Sequence, residues 1–150
     1  MMLLIMVLAV QGSGRAESER HAIVTEVRGN AEVHPMGVEW KPAEAGMILH
    51  ESDEIRTGKD GMVWLLLDEN GKTGNFELKP DSRIRLGILE WDSQTGDKTT
   101  VLELALGQVL VHAQKLKGKS RFEVRTPNST TGVRGTTFLV SALPKKDKKS

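Results

Sequence analysis

Glycine recurs along this chain at turn-like intervals, and that spacing limits the fold more than any other feature. Gly29, Gly37, Gly46, Gly58 with Gly61, Gly71 with Gly74, Gly87, Gly96, Gly107, Gly118 and Gly132 with Gly135 stand mostly eight to thirteen residues apart. A short strand closed by a turn fills such an interval, and glycine supplies the positive φ that tight turns require. Between the glycines the residues alternate. Ile84, Leu86 and Ile88 form one face against Arg83, Arg85 and Gly87, and Phe122 and Val124 alternate with Glu123 and Arg125. Val101 to Leu106 and Val109 to Val111 flank Gly107, and Phe138-Leu139-Val140 closes the body. Met62-Val63-Trp64-Leu65-Leu66-Leu67 is apolar throughout, which predicts a strand covered on both faces. It runs into Asp68-Glu69-Asn70-Gly71, whose Asn-Gly pair signals a hairpin. The fold class is therefore all-β. Two architectures stay open, a solenoid-like stack and a two-layer sandwich of short antiparallel or stacked strands; an imperfect recurrence about ten residues apart does not decide between them.

The two ends of the chain read differently from its body. Met1 to Val10 is an unbroken apolar run about half the length of a membrane-spanning helix, and Gly14 and Ala16 are small residues at signal-peptidase spacing. No Lys or Arg precedes the run. The expectation is a signal peptide over residues 1–16, cleavage near Ala16, a folded domain over 17–143, and a periplasmic or secreted product with no stable membrane span. The alternative is an N-terminal strand or helix belonging to the domain. Residues 144–150 carry four lysines and one aspartate after Pro144, a basic tail expected to be solvated.

Composition excludes several function classes. A chain of 150 residues buries about 68% of its unfolded surface without staples. It has no Cys, hence no disulfide scaffold, thiolate site or cysteine nucleophile. It has no Tyr and 4% aromatics, and Lys plus Arg number 21 against 20 for Asp plus Glu, which argues against nucleic acid as a partner. His21, His34, His50 and His112 are scattered, so no metal site is legible. Gly71-Lys72-Thr73 resembles the end of a phosphate loop, but Leu66 stands where the first glycine belongs. Asp53 and Glu54 adjoin and point to opposite faces of a strand, so they cannot act together on one substrate. No catalytic residue, metal or cofactor is expected.

The segment from Thr126 to Val140 is the most distinctive. Pro127 ends a strand, and Gly132 and Gly135 bracket Val133-Arg134, allowing a sharp turn on each side. If Val133 and Phe138 pack inward, the Arg134 guanidinium is expected to be partly buried and paired with Asp53, Glu54 or strand carbonyls. On that reading, Arg134→Ala unfolds the domain. The alternative has Arg134 clamping an anionic ligand.

At these residues the chain resembles the FecR domain family, named for periplasmic regulators of iron-siderophore signalling. Val27-Arg28-Gly29-Asn30-Ala31-Glu32-Val33 is similar to the family's opening. Gly46-Met47-Ile48-Leu49 through Asp53-Glu54-Ile55-Arg56-Thr57-Gly58 is similar to its Gly-x-x-Leu and Asp-x-Ile-x-Thr elements. Thr126-Pro127 and Gly132 through Val140 resemble its Thr-Pro and Val-Arg-Gly-Thr-x-Phe ending, and Leu104 to Val111 fits a family strand pair. The resemblance spans roughly Ile23 to Ala142. It singles out Asp53, Arg56, Thr57, Thr126, Pro127, Gly132, Val133, Arg134, Gly135, Thr136 and Phe138 as binding or structural motif residues. It implies an isolated exported FecR-like domain, because the N-terminus is leader-sized and nothing folded is expected after Pro144.

The functional expectation is a non-catalytic envelope module that binds a protein or cell-envelope component through sheet edges and loops. A small-ligand sensor with Arg134 or Arg56 beside the ligand is the alternative, and a hydrolase is disfavoured.

Overall fold

The computed structural model describes residues 20–69 and 71–143. The leader, the basic tail and Asn70 of the hairpin signal lie outside them. Among the described residues every regular element is a strand. In chain order these are β1 (Ala22–Arg28), β2 (Ala31–His34), β3 (Lys41–Pro42), β4 (Ile48–Leu49), β5 (Glu54–Thr57) and β6 (Met62–Leu67). They are followed by β7 (Gly74–Leu78), β8 (Arg83–Trp91), β9 (Lys98–Ala113), β10 (Arg121–Arg125), β11 (Thr130–Gly132) and β12 (Thr137–Ala142).

The strands form one curled sheet in the order β3-β2-β5-β8-β9-β7-β6-β1-β4, with β10 and β12 also paired to β9 and β11 paired to β10. Every pairing is antiparallel except β10 on β9. The result is a half-barrel, and its curl buries a core without requiring repeating rungs or two separate layers. Val24, Leu65, Phe76 and Val111 from one half meet Val33, Ile55, Ile84, Leu102 and Phe122 from the other in a single apolar cluster.

The curl is organised by β9. Its first half pairs with β8 and β10, its second half with β7 and β12. Thr100, Leu102 and Leu104 are buried before Gly107, and Val109, Val111 and Ala113 after it. The buried face thus moves from even to odd positions, the mark of an extra residue inserted in a strand. Gly107 has φ +88°, and Ser82 of the connection from β7 to β8 packs directly against it. Ser82 Oγ accepts a hydrogen bond from Gln108 N (2.9 Å), and Lys79 N donates to Gln108 O (3.0 Å). Leu104 to Val111 is therefore one bent strand, not a strand pair. A second slip, at Leu86/Ile88 in β8, bends the neighbouring strand in step.

Strand β6 also corrects an expectation. Val63, Leu65 and Leu67 are buried, but Met62, Trp64 and Leu66 are only half-buried, so one face lies on the core and the other is partly open. Continuous apolarity marks a strand here without requiring a cover on both sides. β6 and β7 do pair as a hairpin, from Val63↔Leu78 to Leu67↔Gly74.

Candidate binding site

The distinctive C-terminal segment wraps the first and second halves of β9 in turn. At the end of β10, Thr126 N donates to Ser129 O (2.8 Å), and Ser129 N donates to Thr126 Oγ1 (3.1 Å). This hydroxyl-closed turn, with Pro127 inside it, reverses the chain into β11, where Gly132 pairs with Glu123. Val133 is 1% exposed, and its N–H donates to Phe122 O (2.8 Å). The chain then turns at Gly135 (φ +52°), and Thr136 O accepts from Ala113 N (3.0 Å) as β12 begins. Phe138 is half-buried against the core.

Arg134 does not go inward. It is exposed and forms no ion pair among the described residues. Because Val133 takes the inward position, the next residue of an extended chain faces out, and the flanking glycines turn the backbone without reversing that alternation. The expectation of a buried Arg134 paired with Asp53 or Glu54 is thereby overturned. Arg134→Ala is expected to leave the thermal midpoint unchanged to within about 0.5 kcal/mol of stability, as scanning calorimetry would read.

Asp53, Arg56 and Thr57 lie apart from that segment and from each other in role. Asp53 is 4% exposed and accepts hydrogen bonds from Met36 N (2.9 Å) and His50 N (2.8 Å), fastening two loops to the start of β5. Thr57 Oγ1 donates to Lys79 O (2.6 Å) and accepts from Ser82 N (3.0 Å), holding the corner opposite Gly107. Glu54 faces outward and meets Arg83 at 2.6 Å, so the adjoining carboxylates do diverge as their positions in a strand require.

Arg56 also faces outward, into a cluster assembled by register. Its guanidinium lies 3.9 Å from the Trp40 ring centroid, and that ring stacks on His34 at 4.8 Å. Arg56 pairs with Glu32 at 3.1 Å, and Arg83 also approaches Trp40, at 5.3 Å. Farther along the same face Arg85, Glu103 and Arg125 follow one another across β8, β9 and β10. With Thr126 and Pro127 they border a shallow cavity of about 410 Å³. A second cavity, of about 500 Å³, is bounded by Arg121, Phe122, Arg134, Thr136 and Phe138. Asp53 and Val133 are thus buried, and the exposed motif residues divide between two surfaces.

The edge of β12 completes the picture. Among the described residues this six-residue strand pairs with β9 alone, and Leu139 is 54% exposed. Given the bond from Ala113 N to Thr136 O, alternate residues Phe138, Val140 and Ala142 exchange hydrogen bonds with β9. The N–H and C=O groups of Thr137, Leu139 and Ser141 therefore point away from the sheet.

The described residues thus form an all-β half-barrel with an open strand edge and shallow cavities bordered by charged side chains. The family model for FecR protein matches residues 53–150, more than half of the chain, and the chain belongs to that family. The matched span starts at Asp53 and so omits the Val27–Val33 and Gly46–Leu49 landmarks, although β1, β2 and β4 continue the same sheet. No characterised protein and no solved structure matches the chain. Among the described residues no helix is long and apolar enough to cross a membrane.

Proposed function

We propose that this FecR-family protein is an exported, periplasmic, non-catalytic module that takes part in signalling by binding an extended segment of a partner protein along β12. The observation that carries this reading is the row of outward backbone groups at Thr137, Leu139 and Ser141 on a strand with one neighbour among the described residues. A partner strand placed there gains main-chain hydrogen bonds, and the exposed Leu139 side chain supplies apolar contact on one face. A small-ligand role centred on Arg56 is less favoured, because Arg56 already covers Trp40 and pairs with Glu32.

The test places a photo-crosslinking residue at Ser141 in the full chain, expressed in a Gram-negative host. Leu139→Pro removes one outward N–H while leaving the bonds to β9, a position where an edge strand tolerates proline. The expected result is a discrete crosslinked protein adduct, lost in Leu139→Pro. No adduct above background, or one indifferent to the proline, overturns the edge reading. Mass spectrometry of the same fractions checks export: the expected mature chain begins near Glu17 in the periplasm, and an uncut cytoplasmic chain overturns that part.

A further inference from the structure

A cavity of about 560 Å³ lies where the loop after β6, the loop before β9 and the loop after β9 meet. Its wall carries Lys72, Lys98, Lys115 and Lys117, and no Asp or Glu among the described residues lines it. In a chain of net charge +1, four ammonium groups around one concavity form a concentrated local field. Low-dielectric walls focus such a field, raising the local concentration of anions.

The layer beneath the cavity holds Lys98 in place and adds no net charge, because Arg20 there is matched by Asp68. Arg20, 7% exposed, donates to Asp68 and to Thr73, which lines the cavity. Lys98 Nζ reaches the same Asp68 oxygen at 3.4 Å. One carboxylate thus serves two cations. Lys98 keeps one of its three ammonium donors free, the other two steadying it at the cavity floor on Asp68 and Thr73.

We propose that this lysine-lined cavity is a binding site for a phosphorylated anion, read through its charge. Lysine binds phosphate as a point charge, and several lysines around one space favour a group bearing more than one negative charge. No aromatic residue lines the cavity, so nothing there would stack on a nucleobase. The volume falls within the usual range for small-ligand sites. The shared chemistry is a phosphoester or polyphosphate, either free in solution or on a lipid headgroup. The site is separate from the β12 edge, so its fate does not bear on the strand-addition reading.

Tripolyphosphate titrated into the full chain by calorimetry tests the soluble source. Flotation with phosphatidylcholine vesicles containing phosphatidate tests the lipid source. Binding to at least one probe is expected, with a tripolyphosphate dissociation constant below about 1 mM at about 50 mM salt, weakening as salt rises. Lys115 and Lys117 are exposed, so Lys115→Glu with Lys117→Glu should preserve the fold and weaken binding at least about tenfold. The same reversal at Lys41 and Lys59, exposed residues outside the cavity, should leave it within about twofold. Vesicle binding alone assigns the ligand to a headgroup, and tripolyphosphate binding assigns it to soluble phosphates. Absence of both, equal loss in the two double variants, or loss only when Lys145, Lys146, Lys148 and Lys149 are changed to Gln overturns the proposal.

Discussion

Gly107→Ala is expected to yield a protein that is unfolded or insoluble, with a loss of about 3 kcal/mol or more if any folded fraction can be measured. A Cβ placed on Gly107 would lie 2.0 Å from Ser82 Oγ and 2.6 Å from Ser82 Cα. Backbone stands in the way, so a rotamer change in Ser82 cannot relieve the collision. The φ of +88° adds strain for any side chain. Relief would require separating β9 from the connection between β7 and β8, and that connection holds the curl. The hydrogen bonds between Gln108 and Ser82 and between Gln108 and Lys79 would break together. Circular dichroism and a denaturant titration check this. A cooperative transition at the wild-type midpoint would show that the corner is softer than its contacts imply. Gly96→Ala supplies the contrast: Gly96 also has positive φ, but open space surrounds its missing Cβ, so only the backbone cost of about 1 kcal/mol should appear.

Much of this corner is legible in the sequence. Leu102 and Leu104 sit at even positions, Val109 and Val111 at odd ones, with a glycine between them. A period of two that slips by one across a glycine implies a bulge. Reading Gly107 as a turn hides this, because turns and bulges make the same demand on φ. The regular glycine spacing identifies the strands but not their partners. Lys98–Ala113 is far longer than the glycine interval suggests, and only its partners on both edges reveal that it serves two halves of the sheet.

The candidate site is less legible in the sequence, for a related reason. Trp40, Arg56 and Arg83 come together through the register of β2, β5 and β8, and no spacing in the chain encodes that register. The argument that a buried arginine must find acceptors holds in this fold, but for Arg20. Its carboxylate partner is 48 residues away, in a loop whose sequence reads as a plain turn. Arg134 is bracketed by glycines, but flanking glycines do not dictate which way a side chain faces; the inward position of Val133 does.

Asp68→Ala should therefore cost far more than its place in a loop suggests, about 3 kcal/mol, or about 8 °C in the thermal midpoint of a chain this size. The Arg20 side chain is 5% exposed and donates through Nε and Nη2 to both Asp68 oxygens. Its remaining donors go to Glu90 O, Thr99 O and Thr100 Oγ1. Removing the carboxylate strands a desolvated guanidinium that carbonyls and hydroxyls solvate but do not neutralise. Asp68 adopts φ +63°, a conformation that asparagine also accepts, so Asp68→Asn separates charge from backbone strain. Burial alone would raise the Asp68 pKa, but hydrogen bonds from Arg20 and Thr73 and the charges of Arg20 and Lys98 outweigh it and hold the carboxyl below its ordinary value. The unfolded chain then binds its proton more readily than the folded one, so stability rises with pH across that acid range. The contribution is complete above the ordinary aspartate range and fades as the pH falls through the folded value. Asp68→Asn should flatten that part of the stability–pH profile while lowering the plateau. Arg20→Met combined with Asp68→Asn should recover part of the lost stability, because no buried charge is left unpaired. If the single and double variants melt together and the acid limb keeps its slope, the Arg20–Asp68 contact is not what fastens the segment before β1 to the half-barrel.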